Sequence, residues 1–255
     1  MKRVIAVLIV VMLSAGLVFA GGSRESVSES GVRRITVATD ATWPPMQFVD
    51  ENRQIVGFDI DLINAVAEAA GFEVEIQNTA WDGIFAGLGN NDYDAVISSV
   101  TITEERRATM DFSVPYINAG QVLIVRQDAP ATWSSLGDLV GESVGAQIGT
   151  TGAFEVERVS GVTLRTYDEL GMAIEDLAQG RIAGVVADTP IAADFALQNE
   201  NYRTVLKIVG EPFTEEFYGV AVRRGNQEVL DLINAGLEVV LNDGTAERLE
   251  QKWLR

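Results

Sequence analysis

Apolar positions along this chain switch repeatedly between the short runs of a strand and the three-to-four spacing of a helix. Residues 35–38 are a β-branched run and predict a strand. Leu62, Ile63, Val66, Ala67 and Ala70 recur at helical spacing and stop at Gly71, a residue suited to the left-handed turn that ends helices. Residues 72–76 return to a strand, 81–88 predict a short helix, 95–98 a buried strand, Thr103 the start of another helix, and 121–126 a further strand. After Gln127 the alternation restarts. A helical turn at 136–139, a strand at 143–146, a helix at 151–159, a strand at 163–167, a helix at 169–178 and a strand at 184–187 follow in order. Asp188-Thr189-Pro190 opens another helix, because proline tolerates the first helical position. Val229, Ile233, Leu237 and Val240 mark one face of an amphipathic helix, and residues 245–253 predict the closing one.

Repeated strand-helix-strand units predict an α/β fold of mostly parallel sheets with helices on both faces, and two runs of them predict two lobes. In open sheets of this class ligands gather beyond the carboxyl ends of strands. That rule selects residues 40–46, 98–106 and 147–152, and Asp188 with Thr189.

Each place carries an unusual group. In ATDATWPPM, Asp40 and Trp43 precede two prolines that are expected to hold the loop extended; the alternative is a structural turn with Trp43 plugging the core. QIGTTG, 147–152, leaves a strand and opens a helix, so its N–H groups suit an anion, although an ordinary strand-to-helix turn reads the same way. It lacks the lysine ending of a Walker phosphate loop. In ISSVTITEERR, a helix capped by Thr103 places Glu104 and Glu105 favourably in its first turn but Arg106 and Arg107 unfavourably. Asp188 follows GVVA directly, where a helix N-cap is the common use of aspartate. The pairs Asp59 with Asp61 and Asp92 with Asp94 fit no calcium loop and read as solvated charges.

Composition narrows the chemistry. The chain has 255 residues, 47% of them hydrophobic, with no histidine and no cysteine, which excludes a Ser-His-Asp triad, a thiol nucleophile, a disulfide framework and the usual transition-metal sites; no cofactor is expected. Lys2 and Arg3, an apolar run from Val4 and the small-x-small site Val18-Phe19-Ala20 predict an export signal over 1–20, with retention as an anchor the alternative. Residues 21–32 are polar and small and predict a flexible linker. The net charge of −18 makes nucleic acid and anionic membrane poor partners.

A free α-amino acid carries a carboxylate and an ammonium, and burying both requires a cation, an anion and several hydrogen bonds together. Arg106, Asp188 and the hydroxyls of Ser98, Ser99, Thr101 and Thr151 supply that set, and Trp43 and Trp81 are placed to sandwich a side chain. The ordered segments ATDATWPPMQF, VGFDIDL, AWDGIFAGL, DAVISSVTITEERR, DFSVPY, IGTTG, ADTP and LNDGTAERLEQKW, from about Ile35 to Trp253, resemble the polar amino-acid family of extracytoplasmic solute-binding proteins that feed ABC importers.

The resemblance implies a two-lobed periplasmic-binding-protein fold of type II, with lobe 1 at 33–115 and 220–255, lobe 2 at 121–215, and hinges at 116–120 and 216–219. It implies that Arg106 clamps the ligand carboxylate with Ser98, Ser99 and Thr101, that Thr150 and Thr151 open the helix that receives it, and that Asp188 holds the ammonium. Trp43 and Trp81 would stack on the ligand side chain, Asp40 would meet its polar end, and Gln147 stands where members vary. The expected protein is a periplasmic monomer that closes on a free L-amino acid, arginine or lysine first and glutamine second, and docks on an ABC permease. The rival is a dehydratase of cyclic acids on the same fold, which would need a general acid over the cleft.

Overall fold

A computed structural model describes residues 32–255; the expected signal at 1–20 and residues 21–31 of the expected linker lie outside the described residues. Two five-stranded sheets form its frame. The first runs in the order Glu73–Asn78, Arg34–Thr39, Ala95–Val96, Ala221–Arg223, Met110–Phe112, and the second in the order Thr163–Tyr167, Ser143–Gln147, Gly184–Asp188, Gln121–Arg126, Leu206–Val209. In each, three parallel strands are followed by two antiparallel pairings. The sheets are therefore mixed rather than mostly parallel. The reason is the chain's route: Gln121–Arg126 and Ala221–Arg223 each arrive from the opposite lobe and run against their neighbours. Between the lobes Ile117–Asn118 and Phe217–Tyr218 pair antiparallel, so the two crossings lie side by side.

The first core is built from the helix Phe58–Ala70 packed on the helix Gln227–Asn242. Leu62, Ile63 and Val66 of the one and Val229, Ile233 and Leu237 of the other are fully buried, each contributing about 1.5–3 kcal/mol. The helices approach so closely that a Cβ on Gly236 would lie 2.3 Å from the Val66 carbonyl oxygen, which only glycine tolerates. Gly71 ends the first helix with φ 76°, as the sequence predicts. The expected strands and helices of the second run are present, including Thr163–Tyr167, Leu170–Ala178 and Gly184–Asp188. Strands of two to four residues, such as Met110–Phe112 and Leu206–Val209, carry too little pattern to be read from sequence.

Candidate functional site

Four loops at the carboxyl ends of strands converge where the lobes meet, as the sheet rule requires. The loop after Arg34–Thr39 is not extended as expected. Thr42–Trp43 pairs antiparallel with Gln47–Val49, and the intervening prolines sit in a tight turn closed by the Met46 N–H on the Trp43 carbonyl at 3.0 Å. That hairpin fixes Trp43 and brings in Gln47, which the sequence did not single out. Ser98 Oγ ties the hairpin to the next loop, accepting from the Asp40 N–H at 3.0 Å and from Gln47 Nε2 at 3.2 Å.

Ser99 adopts φ 50°, a left-handed conformation that serine reaches only when held. Asp59 holds it. Its Oδ2 accepts from the Ser99 N–H at 2.7 Å while its Oδ1 accepts from the Tyr116 hydroxyl at 2.9 Å. Asp59 is fully buried, and desolvation pushes its carboxyl up to about 7 against the pull of those hydrogen bonds. The expectation that Asp59 is a solvated charge is therefore corrected. Residues at i and i+2 do face opposite ways: Asp59 points inward, while Asp61 lies at the edge and accepts from Lys252 Nζ and Trp253 Nε1, each at 2.7 Å. Asp94 is half-buried and accepts from the Thr36 N–H at 2.9 Å, leaving Asp92 as the exposed member of its pair.

The cation at the helix start finds its explanation in length. The helix Glu104–Arg107 is one turn, so Arg106 lies in its last turn as well as its first, and no long dipole opposes it. Thr103 caps it, its Oγ1 accepting from the Arg106 N–H at 3.1 Å. The guanidinium lies 5.4 Å over the Trp81 ring and 5.2 Å over the Phe85 ring and donates to the Thr101 carbonyl at 2.9 Å. Burial lowers its pKa, and Asp188, Glu216 and Glu105 oppose that fall, which keeps it a cation. Arg107 is exposed and rests over Phe112.

The second lobe contributes polar groups. Thr150 caps the helix Thr151–Arg158, accepting from the Ala153 N–H at 3.3 Å and donating to the Gln147 carbonyl at 2.7 Å. Its hydroxyl is committed to this turn. Asp188 occupies the N-cap position of Thr189–Ala193 but makes no capping bond with its side chain. Its two oxygens instead accept from Gln121 Nε2 and the Tyr218 hydroxyl. Desolvation, and then repulsion from Glu216, pushes Asp188 up to about 7, opposed by the Tyr218 and Gln121 hydrogen bonds and by Arg106.

The lobes touch through Gln147 Nε2 on Asp40 Oδ2 at 3.0 Å, Arg106 on the Gly149 carbonyl at 3.4 Å, and Thr151 Oγ1 on Glu216 Oε2 at 2.7 Å. Between them lies a narrow, partly open cavity with about 20 Å³ of free volume. Asp40, Trp43, Trp81, Ser98, Ser99, Thr101, Arg106, Gln147, Thr150, Thr151 and Asp188 all line it, with Gln47 added. Its charged lining groups are one cation, Arg106, and two carboxyls, Asp40 and Asp188. Burial also raises the Asp40 pKa, against hydrogen bonds from Thr42 and Gln147. Among the described residues no cluster of His, Cys, Asp or Glu is placed to hold a metal ion.

Two α/β lobes with crossed strands and a cavity at their junction define a type II periplasmic binding protein. Residues 35–255 match the family model described as bacterial extracellular solute-binding proteins, family 3, and the chain belongs to that family. The L-cystine-binding protein TcyJ of Escherichia coli (strain K12) is 32% identical over 253 residues, which cover 98% of this chain and 92% of that one. An ancestral arginine-binding protein solved with arginine bound is 42% identical with a TM-score of 0.82, covering 87% of this chain and 98% of that chain. An ancestral amino acid-binding protein described as a precursor of cyclohexadienyl dehydratase is 36% identical with a TM-score of 0.81, covering 87% of this chain and 96% of that chain. The family is extracellular, and its members bind free amino acids and work with ABC transporters.

Proposed function

We propose that this protein captures a cationic L-amino acid, arginine or lysine, by closing two lobes on it, and delivers it to an ABC permease. The observation that carries the reading is the cavity's charge: two carboxyls face one guanidinium. The ligand carboxylate pairs with Arg106 and its ammonium with Asp188. That leaves Asp40 without a counter-charge, which a cationic side chain lying between Trp43 and Trp81 provides. Ser98, Ser99 and the N–H groups at Thr101, Thr150 and Thr151 complete the grip on the carboxylate, with Gln147 orienting Asp40 and Gln47 orienting Ser98 and Ser99. Glutamine is the second choice, because its amide can donate to Asp40 without neutralising it.

The lobes are 33–115 with 220–255, and 121–215, bending at 116–120 and 216–219. The protein is exported, loses its signal near Ala20, and acts as a monomer in the periplasm. No covalent step is required.

Calorimetry of the chain from Gly21 across the twenty L-amino acids tests the proposal. Arginine or lysine should bind at micromolar Kd or tighter and at least tenfold more tightly than glutamine; no amino acid binding below millimolar would sink it. The kinship with a dehydratase precursor supports a second reading as an enzyme acting on cyclic acids. Two carboxyls over the cavity would repel such an anion, and turnover of a cyclic acid in the same panel would establish it.

A further inference from the structure

Residues 215–218 alternate outward and inward: Glu215 and Phe217 are exposed, and Glu216 and Tyr218 are buried. Such an inward place usually belongs to an apolar side chain, yet at 216 it holds a carboxylate with 7% exposure. Three hydroxyls satisfy it. Glu216 Oε2 accepts from Thr101 Oγ1 and Thr151 Oγ1, both at 2.7 Å, and Oε1 accepts from Thr214 Oγ1 at 3.2 Å. Thr101 belongs to the first-lobe loop, which is laced to the crossing strand through the Ile102 N–H on Phe217 and the Gly219 N–H on Val100. Thr151 begins the second-lobe helix Thr151–Arg158. One oxygen atom therefore joins both lobes at the edge of the cavity, although Glu216 does not itself line it.

We propose that Glu216 is a positioning residue for the ligand site, an interlobe clasp that holds Thr101 and Thr151 in the closed arrangement through a single carboxylate oxygen. This rests on the proposed capture by closure and adds to it a group that touches no ligand. Opening the seam separates Thr151 from Glu216, so the contact belongs to the closed form and favours it. It also spends the two threonine hydroxyls on the protein, so that the ligand carboxylate meets Arg106 and the backbone N–H groups at the helix start. The bond from Gln121 Nε2 to Thr151 Oγ1 at 3.1 Å extends the clasp toward Asp188, which the same amide contacts.

Two substitutions separate clasp from charge and from simple structural support. Glu216→Gln keeps a carbonyl oxygen for both threonines, and its amide can donate to Thr214 Oγ1, so affinity for L-arginine should stay within about threefold of the parent. Glu216→Ala removes the bridge and should weaken L-arginine roughly tenfold or more through faster release, the loss typical of a hydrogen bond to a charged group, with the thermal midpoint of the ligand-free chain kept. In small-angle scattering, ligand-free Glu216→Ala should have a larger radius of gyration than both the parent and Glu216→Gln. Unchanged affinity and scattering in Glu216→Ala would overturn the clasp, as would equal weakening by both variants or a lowered thermal midpoint in either. Scattering needs no ligand. If no amino acid binds the parent, the proposed function fails while this measurement still decides the role of Glu216.

Discussion

In the first lobe the crossing strand Ala221–Arg223 lies against Ala95–Val96, and in the second the crossing strand Gln121–Arg126 lies against Gly184–Asp188. The sheet plan is the same, but the two cavity walls are supported differently. First-lobe groups are braced from within: Arg106 by the Trp81 and Phe85 rings, Ser99 by buried Asp59, and Ser98 by Asp40 and Gln47. Second-lobe groups divide their bonds between their own lobe and the seam: Gln147 between the Asp168 carbonyl and Asp40, Thr151 between Gln121 and Glu216, and Asp188 between Gln121 and Tyr218. The first wall is held mainly within its lobe, and the second relies more on contact across the seam. A ligand would therefore settle on the first lobe and recruit the second, as population shift toward a closed form requires.

The sharpest way to break this contrast is Arg106→Ala. It should weaken L-arginine by a hundredfold or more, because the ligand carboxylate would be buried without its cation. The thermal midpoint of the ligand-free protein should barely move. Calorimetry with thermal unfolding checks both, and unchanged affinity would remove the carboxylate clamp.

Asp188→Asn, on the second wall, should cost roughly tenfold in Kd, since the amide keeps the shape but not the charge that an ammonium needs. A loss as large as that of Arg106→Ala would place both walls on an equal footing and contradict the order of assembly.

A last test lies in pH. Asp59 and Asp188 sit at about 7 rather than 3.8, so the folded chain keeps protons that the unfolded chain releases. Their stabilising contribution is full below about pH 4 and is lost as pH rises through 7. The ligand-free thermal midpoint should fall between pH 5 and pH 8, with most of the fall below pH 7. Saturating L-arginine should remove the share of Asp188, because an ammonium favours its ionised form, and should leave the share of Asp59. Parallel pH curves with and without ligand would detach Asp188 from the ammonium.

Apart from Trp81 and Gln47, the residues that line the cavity were legible because they fall in the four places the sheet rule selects. Their supports were not. Asp59 looked like half of a solvated pair because spacing along a helix separates two faces without saying which one is buried. Glu216, Gln121 and Tyr218 sit on or beside the crossings, where strands of two residues show no period and long-range pairing decides which side faces inward. Gln47 was hidden by the prolines, read as an extended loop where the chain turns back as a hairpin. The mixed sense of the sheets escaped for a related reason, since local pattern reveals a strand but not the lobe from which it enters.

The paired crossings Ile117–Asn118 and Phe217–Tyr218 also have a mechanical consequence. A two-stranded ribbon bends across its flat face with small changes in backbone angles, whereas shearing it in its own plane breaks the ladder that joins the strands. Under the proposed closure, relative movement of the lobes would thus be confined mainly to one rotational coordinate. Little orientational freedom remains to be surrendered when the walls meet, so a larger part of the contact energy is expressed as affinity.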